Sequence, residues 1–282
     1  MSIQIITDSA SDISAAQAAK WNVTVLPLTT ILGDEAFLDG VTLDHKTFYE
    51  KLIETDVMPT TSQLSPAAYE SAFRSALEKG GSVLCFTVSS KLSGCCQSAH
   101  IAAAEVDGDI VIVDTLSVSL GMQTLIEMAC TLRDEGKTAS EIAAILEEEK
   151  QKLRVIALVD TLEYLKRGGR ISPTTALAGS LLNIKPVIAL ENGEIIMCGK
   201  ARGSKNANNL LASLIAKDGI DFSKPCYLAY SGLSDTLLQK YVADSAHLYE
   251  GRAADFPVVS IGSTIGTHAG PGAIAVAFFA KN

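Results

Sequence analysis

The residues most suited to binding chemistry lie in a serine-rich loop behind an apolar run. The β-branched run Val83 to Val88 leads into the loop and an alanine-rich segment follows it, which predicts a strand, a tight turn and a helix. Ser89, Ser90 and Ser93 would then surround the unpartnered first amides of the helix, where the helix dipole adds positive charge. Such a site binds an anion, most simply a phosphate or a carboxylate. The alternative is that one serine caps its own helix.

A second polar group follows the first predicted strand, Ile3 to Ile6. Asp8, Ser9 and Asp12 stand at the carboxyl end of that strand, where open α/β sheets place their ligands. The same residues could instead cap the next helix, with Ser11 or Asp12 as its N-cap. The sequence leaves both interpretations open.

The segment between Pro59 and Pro66 is polar and rich in hydroxyls. Ser65 and Pro66 are typical of the first positions of a helix, so they account for the end of the segment. They do not account for the run Thr60 to Ser62. Loops bounded by proline hold a defined position and often carry function, so this run is another candidate for ligand binding.

His268 lies in a segment with many glycines, residues 262–272, between two predicted strands. The glycine spacing matches neither the dinucleotide fingerprint nor the phosphate-binding loop, and Gly193 to Lys200 only approaches the latter. We interpret the uncharged reach Phe256 to Ala280 as strand, loop and strand rather than as a membrane span, because it contains several glycines and prolines. His268 is therefore predicted to lie in a loop, bound either to a ligand or to local backbone.

Ser93, His268 and one of several aspartates could form a hydrolase triad, which would make the protein an enzyme. The serine lacks the Gly-x-Ser-x-Gly turn that exposes such a nucleophile, and Lys91 stands two residues before it. We therefore rank a hydrolase, or another enzyme acting on a small carboxylated or phosphorylated substrate, as the alternative function.

The composition disfavours several classes of partner. The 282-residue chain has a net charge of −9 and no basic cluster longer than Lys166-Arg167, so nucleic acid is not an expected partner. Apolar residues make up 48% of the chain, which favours an apolar pocket in addition to a core. The N-terminus shows no signal-peptide pattern, so the expected location is the cytoplasm.

Six cysteines are scattered along the chain, mostly within apolar runs. The sequence contains no Cys-x-x-Cys pair, no His-Glu-x-x-His motif and no other metal-ligand spacing. We predict reduced, buried thiols and no metal site.

Strands and helices alternate through the first 160 residues, which predicts a doubly wound parallel sheet with helices on both faces. Residues 1–160 are predicted to form a Rossmann-like α/β domain, with a small β insertion near residues 23–41 and Val155 to Val159 as a further strand. The Asn192-Gly193 pair predicts a hairpin in the second half. Residues 161–282 are therefore predicted to form an α+β domain with a mixed sheet.

Motifs in order along nearly the whole chain resemble the DegV family of bacterial fatty-acid-binding proteins. They are Thr7 to Ser9, Pro59 to Gln63, Ser89 to Gly94, Thr161 to Leu165 with Gly168 to Arg170, Leu182 to Pro186, and Gly266 to Gly272. Two departures border the predicted head-group loop: Cys95-Cys96 stands where many relatives carry Thr-Tyr, and Leu64 stands where proline is usual. Such changes could alter chain selectivity.

The resemblance implies two α/β domains that enclose one buried long-chain fatty acid. Members of the family present the carboxylate of that ligand to a separate ATP-dependent fatty acid kinase, which makes an acyl phosphate for phospholipid synthesis. The resemblance therefore implies a lipid-binding carrier rather than an enzyme, with no cofactor beyond the bound fatty acid. The preferred chain length, the preferred unsaturation and the oligomeric state do not follow from the sequence.

The resemblance also assigns residues to the ligand. The predicted carboxylate ligands are Thr61, Ser62, Ser93, Gly94, Thr267 and His268. No residue is predicted to be catalytic, because a carboxylate that is ionised at pH 7 needs no general base to attack a phosphoryl group. His268 is accordingly expected to orient the ligand and to balance its charge.

Arg170 and Arg202 match positions that the family associates with transfer to the kinase. Arg170 follows Gly168-Gly169 in a stretch with one lysine and two arginines, which predicts an exposed basic edge that docks the partner. The alternative is that Arg170 pairs with a carboxylate inside the domain.

Overall fold

The computed structural model describes residues 2–55, 57–172 and 183–281. The strands in these ranges are β1 (Ile3–Asp8), β2 (Val23–Leu26), β3 (Thr29–Leu32), β4 (Glu35–Leu38), β5 (Thr60–Ser62), β6 (Ser82–Thr87), β7 (Ile110–Asp114), β8 (Leu153–Leu158), β9 (Ile184–Glu191), β10 (Glu194–Arg202), β11 (Tyr227–Tyr230), β12 (Val258–Ser260) and β13 (Ile274–Phe279). The α-helices are α1 (Ala15–Trp21), α2 (His45–Glu54), α3 (Pro66–Leu77), α4 (Cys95–Ala104), α5 (Ser119–Asp134), α6 (Ala139–Glu149), α7 (Glu163–Arg167), α8 (Ser204–Asp218), α9 (Thr236–Asp244) and α10 (Ser263–Ala269). Leu182, which opens one of the family motifs, lies outside the described residues.

Strands β2, β1, β6 and β7 form a fully parallel sheet in that order. All six residues of β6 are buried, so both faces of this sheet are covered. The helices begin at strong caps: Ser14 and Gln17 form a capping box at α1, and Thr138 forms one with Glu141 at α6. The predicted parallel α/β arrangement of the N-terminal region is confirmed.

The second sheet is mixed and runs in the order β10, β9, β8, β13, β11, β12. The predicted hairpin at Asn192-Gly193 joins β9 to β10. The prediction for β8 as a parallel strand was wrong, because β8 pairs antiparallel with β13 and β9 in this sheet. Its partner β13 comes from the end of the chain, and periodicity does not reveal so distant a neighbour. The mixed sheet thus takes in a strand that precedes residue 160, and a domain division at that residue stays a prediction.

Helix α5 lies between the two sheets. Its residues Ser119 to Ile126 are buried without interruption, whereas a surface helix buries only one stripe. The largest core cluster contains Leu84 of β6 and Val155 of β8, so one core joins both sheets. At the carboxyl end of β6, the Ser89 hydroxyl donates a 2.7 Å hydrogen bond to the carbonyl of Gly193 in the hairpin. The loops at this edge of the parallel sheet therefore meet the mixed sheet.

Strands β4, β3 and β5 form a small antiparallel sheet. The sequence predicts one strand from Val23 to Leu32, but Pro27 divides this stretch into β2 in the parallel sheet and β3 in the small sheet. Proline has no amide hydrogen to donate to a ladder, which disfavours continuous pairing across Pro27. The run Thr60 to Ser62, predicted as a loop, is the edge strand β5.

The prediction of strand, loop and strand at the end of the chain was wrong, because helix α10 lies between β12 and β13. Its glycine acts through close packing rather than as a helix breaker: a Cβ atom at Gly266 would lie 2.5 Å from Tyr49 Oη and 2.7 Å from Phe48 Cε1. Glycine is thus the residue that lets α10 lie directly against α2. His268, predicted in a loop, lies in the last turn of this helix.

The described residues also include the regions for which the sequence makes predictions about a membrane span, the thiols and a metal site. No helix among them combines the length and apolar composition that a bilayer crossing requires. All six cysteines lie within the described ranges as free thiols, and all but Cys198 are buried. In the same ranges, no group of three acidic, histidine or cysteine side chains has the arrangement of a metal site.

Candidate functional site

A cavity of about 220 Å³ lies between the inner face of the mixed sheet and the loops at the carboxyl edge of the parallel sheet. Ala157, Ala273 and Ala275 line it, and Ala275 is the direct partner of Ala157 across β13 and β8. Antiparallel partners share one face of a sheet, so these small side chains leave space at one spot. Leu190 and Ile195 form part of the surrounding wall. Cavities lined by such apolar groups stay dry and accept apolar ligands.

Polar side chains from four separate segments, together with the backbone of Gly94, line the same cavity, and we call them the polar end. They are Thr61, Ser62 and Gln63 at β5, Ser93 and Gly94 before α4, Arg170 after α7, and His268 on α10. Their clustering depends on the small sheet, because β3 pairs Thr30 with Thr61 and thereby fixes the position of β5.

The central contact of the polar end joins Thr61 Oγ1 to His268 Nε2 at 2.9 Å. His268 Nδ1 is buried and has no hydrogen-bond partner among the described residues. Burial and the nearby charge of Arg170 lower the pKa of His268 to about 4, so the ring is neutral at pH 7. In the neutral tautomer that carries its proton on Nε2, the ring donates to Thr61. The Thr61 hydroxyl hydrogen then remains available for an anion.

Arg170 is half-buried at the polar end, which corrects the prediction that it lies on an exposed edge. Its Nε donates to the Leu92 carbonyl at 3.1 Å and its Nη1 donates to the Gly168 carbonyl at 2.6 Å. Both acceptors are backbone carbonyl oxygens. The alternative prediction, an ion pair between Arg170 and a carboxylate inside the domain, is not observed among the described residues. A Cβ atom at Gly168 would lie 2.2 Å from His268 Nδ1, so glycine is required for this packing.

Ser93 makes two long hydrogen bonds, both to Cys95. Its hydroxyl accepts from the Cys95 amide at 3.3 Å and donates to the Cys95 sulfur at 3.3 Å. Ser93 thus contacts the first amide of α4, but it is not the N-cap, which is Gly94 and has no side-chain capping bond. Sulfur is a weak acceptor, however, so the hydroxyl hydrogen can turn to a better one. The contact with α4 and anion binding are compatible at this residue.

The structure does not bring every predicted residue to the cavity. Thr267 donates to the Ser263 carbonyl at 2.8 Å within α10 and does not line the cavity. Arg202 is exposed at the end of β10, apart from the lining. Ser89 is bound to the hairpin, and the amide of Ser90 donates to Asp114. Only Ser93 of the three loop serines reaches the cavity.

Asp8, Asp12 and Asp39 form a buried carboxylate cluster, and we keep that name for them. Asp8 accepts from the amides of Ala10 and Val88, whereas Asp12 accepts from the amide of Gly262. None of the three carboxylates lines the cavity. The capping interpretation named the wrong residues, because the N-cap of α1 is Ser14, whereas Asp8 caps the short 3-10 helix Ser9–Ser11 that precedes it. Burial raises the pKa of Asp8 to about 7, and burial together with Asp39 raises the pKa of Asp12 well above its ordinary value.

The geometry does not support a hydrolase triad. A triad needs the serine hydroxyl on one histidine nitrogen and a carboxylate on the other. Ser93 bonds to Cys95, His268 Nε2 bonds to Thr61, and His268 Nδ1 has no carboxylate partner within the described ranges.

Sequence reasoning missed several lining residues. Gln63 lies at the polar end, with its side-chain amide donating to Ser98 at 3.1 Å, and Thr264 lines the cavity from α10. Gln63 belongs to the motif Pro59 to Gln63, although no ligand role was predicted for it, and Thr264 carries no signal in the sequence. The alanines at every second position of β13, Ala275 and Ala277, were a usable signal, because one face of that strand is then small.

The fold and the cavity define a class: an α/β protein with a parallel sheet, a mixed sheet and a small antiparallel sheet, whose apolar cavity ends at hydroxyl, amide and guanidinium groups. Comparisons with known proteins agree with this class. The profile of the DegV family, described as uncharacterised proteins, matches residues 2–281. The chain belongs to the DegV family.

Relatives cover the whole chain. A DegV domain-containing protein of Caldanaerobacter subterraneus subsp. tengcongensis is 35% identical over 282 residues, which is 99% of each chain. A solved fatty-acid-binding DegV family protein from Thermus thermophilus has a TM-score of 0.86 at 32% identity, covering 99% of this chain and 100% of that one. A stearic-acid-binding protein from Eubacterium ventriosum has a TM-score of 0.87 at 25% identity, covering 100% of this chain and 99% of that one.

Proposed function

We propose that this protein binds one long-chain fatty acid, with the carboxylate at the polar end and the alkyl chain in the cavity. The observation that carries the proposal is an apolar cavity bordered by polar groups that can donate to an anion, above all the Thr61 hydroxyl. The fatty-acid binding of the relatives from Thermus thermophilus and Eubacterium ventriosum supports it.

The alkyl chain supplies the affinity. Each buried methylene contributes about 0.8 kcal/mol, so about 14 of them contribute on the order of 11 kcal/mol before the costs of association. The row of alanines on the mixed sheet provides the apolar surface for this burial.

The polar end fixes the position of the head group. A carboxylate removed from water must be hydrogen-bonded and compensated in charge, or it takes up a proton. Thr61, Ser93 and the Gly94 amide are the proposed donors, with Ser62 beside them. His268 is neutral at pH 7 and therefore orients Thr61, whereas Arg170 is the cation that balances the charge.

The protein is, in this proposal, a carrier that presents its ligand to a separate ATP-dependent fatty acid kinase, which makes an acyl phosphate for phospholipid synthesis. Ser62 and Gln63 are exposed to solvent although they line the cavity, so a partner has access to the polar end. The carboxylate is already ionised at pH 7, and the carrier need supply no general base.

Organic extraction followed by mass spectrometry tests the ligand. The purified protein should yield about one fatty acid per chain, and the delipidated protein should bind added fatty acid in a titration. Recovery of no fatty acid, together with no binding in the titration, would refute the proposal. Hydrolysis of acyl esters that is lost in both Ser93→Ala and His268→Ala would favour the hydrolase instead.

The exposed Arg202 tests the kinase partnership. Rim charges act on association with a partner, so Arg202→Ala should lower acyl-phosphate formation with the cognate kinase about tenfold. Melting temperature and fatty-acid affinity should not change. Lys205→Ala, an exposed cation three residues away, is the matched control. Equal activity of the two variants would remove Arg202 from the docking surface.

A further inference from the structure

Strands β8 and β9 separate before either of them ends. Their pairing covers only Ile156 with Ala189, Ala157 with Ile188, and Leu158 with Val187. Beyond this point β8 continues to Leu153 along β13, while β9 continues to Glu191 along β10. The mixed sheet therefore has an opening next to Val155 and Leu190.

Two cavities meet at this opening. A second cavity of about 430 Å³ lies on the far side, and Val155, Ala189 and Leu190 line both it and the first cavity. Val155 lies two positions from the cavity-lining Ala157 in β8, and Leu190 lies two positions from the cavity-lining Ile188 in β9. Residues two positions apart in a strand share one face, so both side chains point to the first cavity. They stand at the boundary between the two spaces.

The second cavity has an apolar floor and a charged rim. Leu116, Ile196 and Leu214 supply apolar surface. Arg154 and Asp218 also line it and form an ion pair at 3.4 Å, with both side chains about one-third exposed. Such a space shelters a few methylene groups while its rim remains in water.

We propose that the end of a long acyl chain passes between Val155 and Leu190 into the second cavity, so that this opening sets the preferred chain length. This inference rests on the proposed function, because the polar end must hold the carboxylate in place. With the head group fixed, each added methylene lies further along the chain and needs new apolar space. The size of residue 190 then controls how many methylenes are sheltered.

Binding of saturated fatty acids with 14 to 22 carbons tests the opening. Leu190→Ala widens it and should raise the affinity for 20 carbons relative to 16 carbons about tenfold; Leu190→Phe should lower that ratio by a similar factor. One sheltered methylene is worth about fourfold in affinity, so these changes correspond to about two methylenes. Ile195→Ala is the matched control, because Ile195 is the direct partner of Leu190 but lines only the first cavity.

Cys198 gives a second measurement that needs no substitution at the opening. It lines the second cavity and is half-buried, whereas the other five cysteines are buried. A bound fatty acid of 20 carbons should slow alkylation of Cys198 several-fold, and one of 14 carbons should not. Wild-type protein that binds no fatty acid would overturn the proposed function itself. Tight binding with equal Cys198 protection by both lengths, or equal length profiles for Leu190→Ala and Ile195→Ala, would overturn the opening alone.

Discussion

The two ends of helix α10 lie in polar surroundings of opposite character. At the N-terminal end, Asp39 accepts hydrogen bonds from the amide and hydroxyl of Ser263 and from the hydroxyl of Ser9. At the C-terminal end, His268 bonds only to Thr61 among the described residues, and its other ring nitrogen is buried without a partner. One helix of seven residues thus connects a saturated polar cluster to an unsaturated one.

The difference in hydrogen bonding indicates that the carboxylate cluster stabilises the fold, whereas the polar end is suited to a ligand. Each carboxylate of the cluster accepts hydrogen bonds from other groups of the protein, so the carboxylate cluster holds α10 against the β1 loop and the small sheet. The polar end retains free capacity and borders an apolar cavity, which is where a ligand with an anionic head group gains most. Burial alone does not distinguish the two, since both contain buried titratable groups.

The pH dependence of stability should show the largest difference. The folded pKa of Asp8 is about 7 and the unfolded value is near 4, so its contribution is present below pH 4 and is lost as the pH rises through 7. Three pKa units correspond to about 4 kcal/mol at most. In urea unfolding, wild type should lose that much more stability between pH 4 and pH 7 than Asp8→Asn. An equal loss of stability in wild type and Asp8→Asn between pH 4 and pH 7 would contradict this prediction.

Removing Asp39 should damage the fold rather than the site. Asp39→Ala leaves the amide and hydroxyl of Ser263 without their acceptor, at a cost of about 3 kcal/mol in the free energy of unfolding. Asp34→Ala, an exposed aspartate of the same region, is the control and should change stability by less than about 0.5 kcal/mol. Equal stability of the two variants would mean that the saturated end does not fasten α10.

His268 should give a pH dependence of the opposite sign. Its folded pKa of about 4 lies below the unfolded value of 6.5, so its contribution is present above pH 6.5 and is lost as the pH falls through 4. The effect is at most about 3 kcal/mol. His268→Gln should therefore retain more of its stability than wild type on acidification from pH 6.5 to pH 4, measured by urea unfolding. Exposed His247→Gln controls for the substitution.

Ser93 should affect binding with little effect on stability. Loss of one hydrogen bond to a charged group costs about 1–3 kcal/mol, so Ser93→Ala should weaken fatty-acid binding by that amount in a titration. Ser90→Ala, in the same loop but outside the cavity lining, should bind like wild type. An unchanged affinity in Ser93→Ala would remove Ser93 from the polar end as a ligand.

Local patterns in the sequence were sufficient for much of the fold. Buried strands such as β6, the caps at Ser14 and Thr138, and the Asn192-Gly193 hairpin all follow from short-range residue preferences. The motif at Thr61 and the motif at His268 could each be recognised as chemically suited to a ligand. Their 2.9 Å contact joins residues 207 positions apart, and no local pattern predicts it.

The sequence by itself determined the elements, the family resemblance and the stock of hydroxyls, because these depend on residue type and near-neighbour spacing. Tertiary structure alone decided that β8 joins the mixed sheet, that Gly266 packs within a helix, and that Arg170 turns inward to backbone carbonyls. It also decided which polar groups are saturated. The physical reason is that pairing, close packing and hydrogen-bond satisfaction depend on distant partners, whose positions are set only when the whole chain has folded.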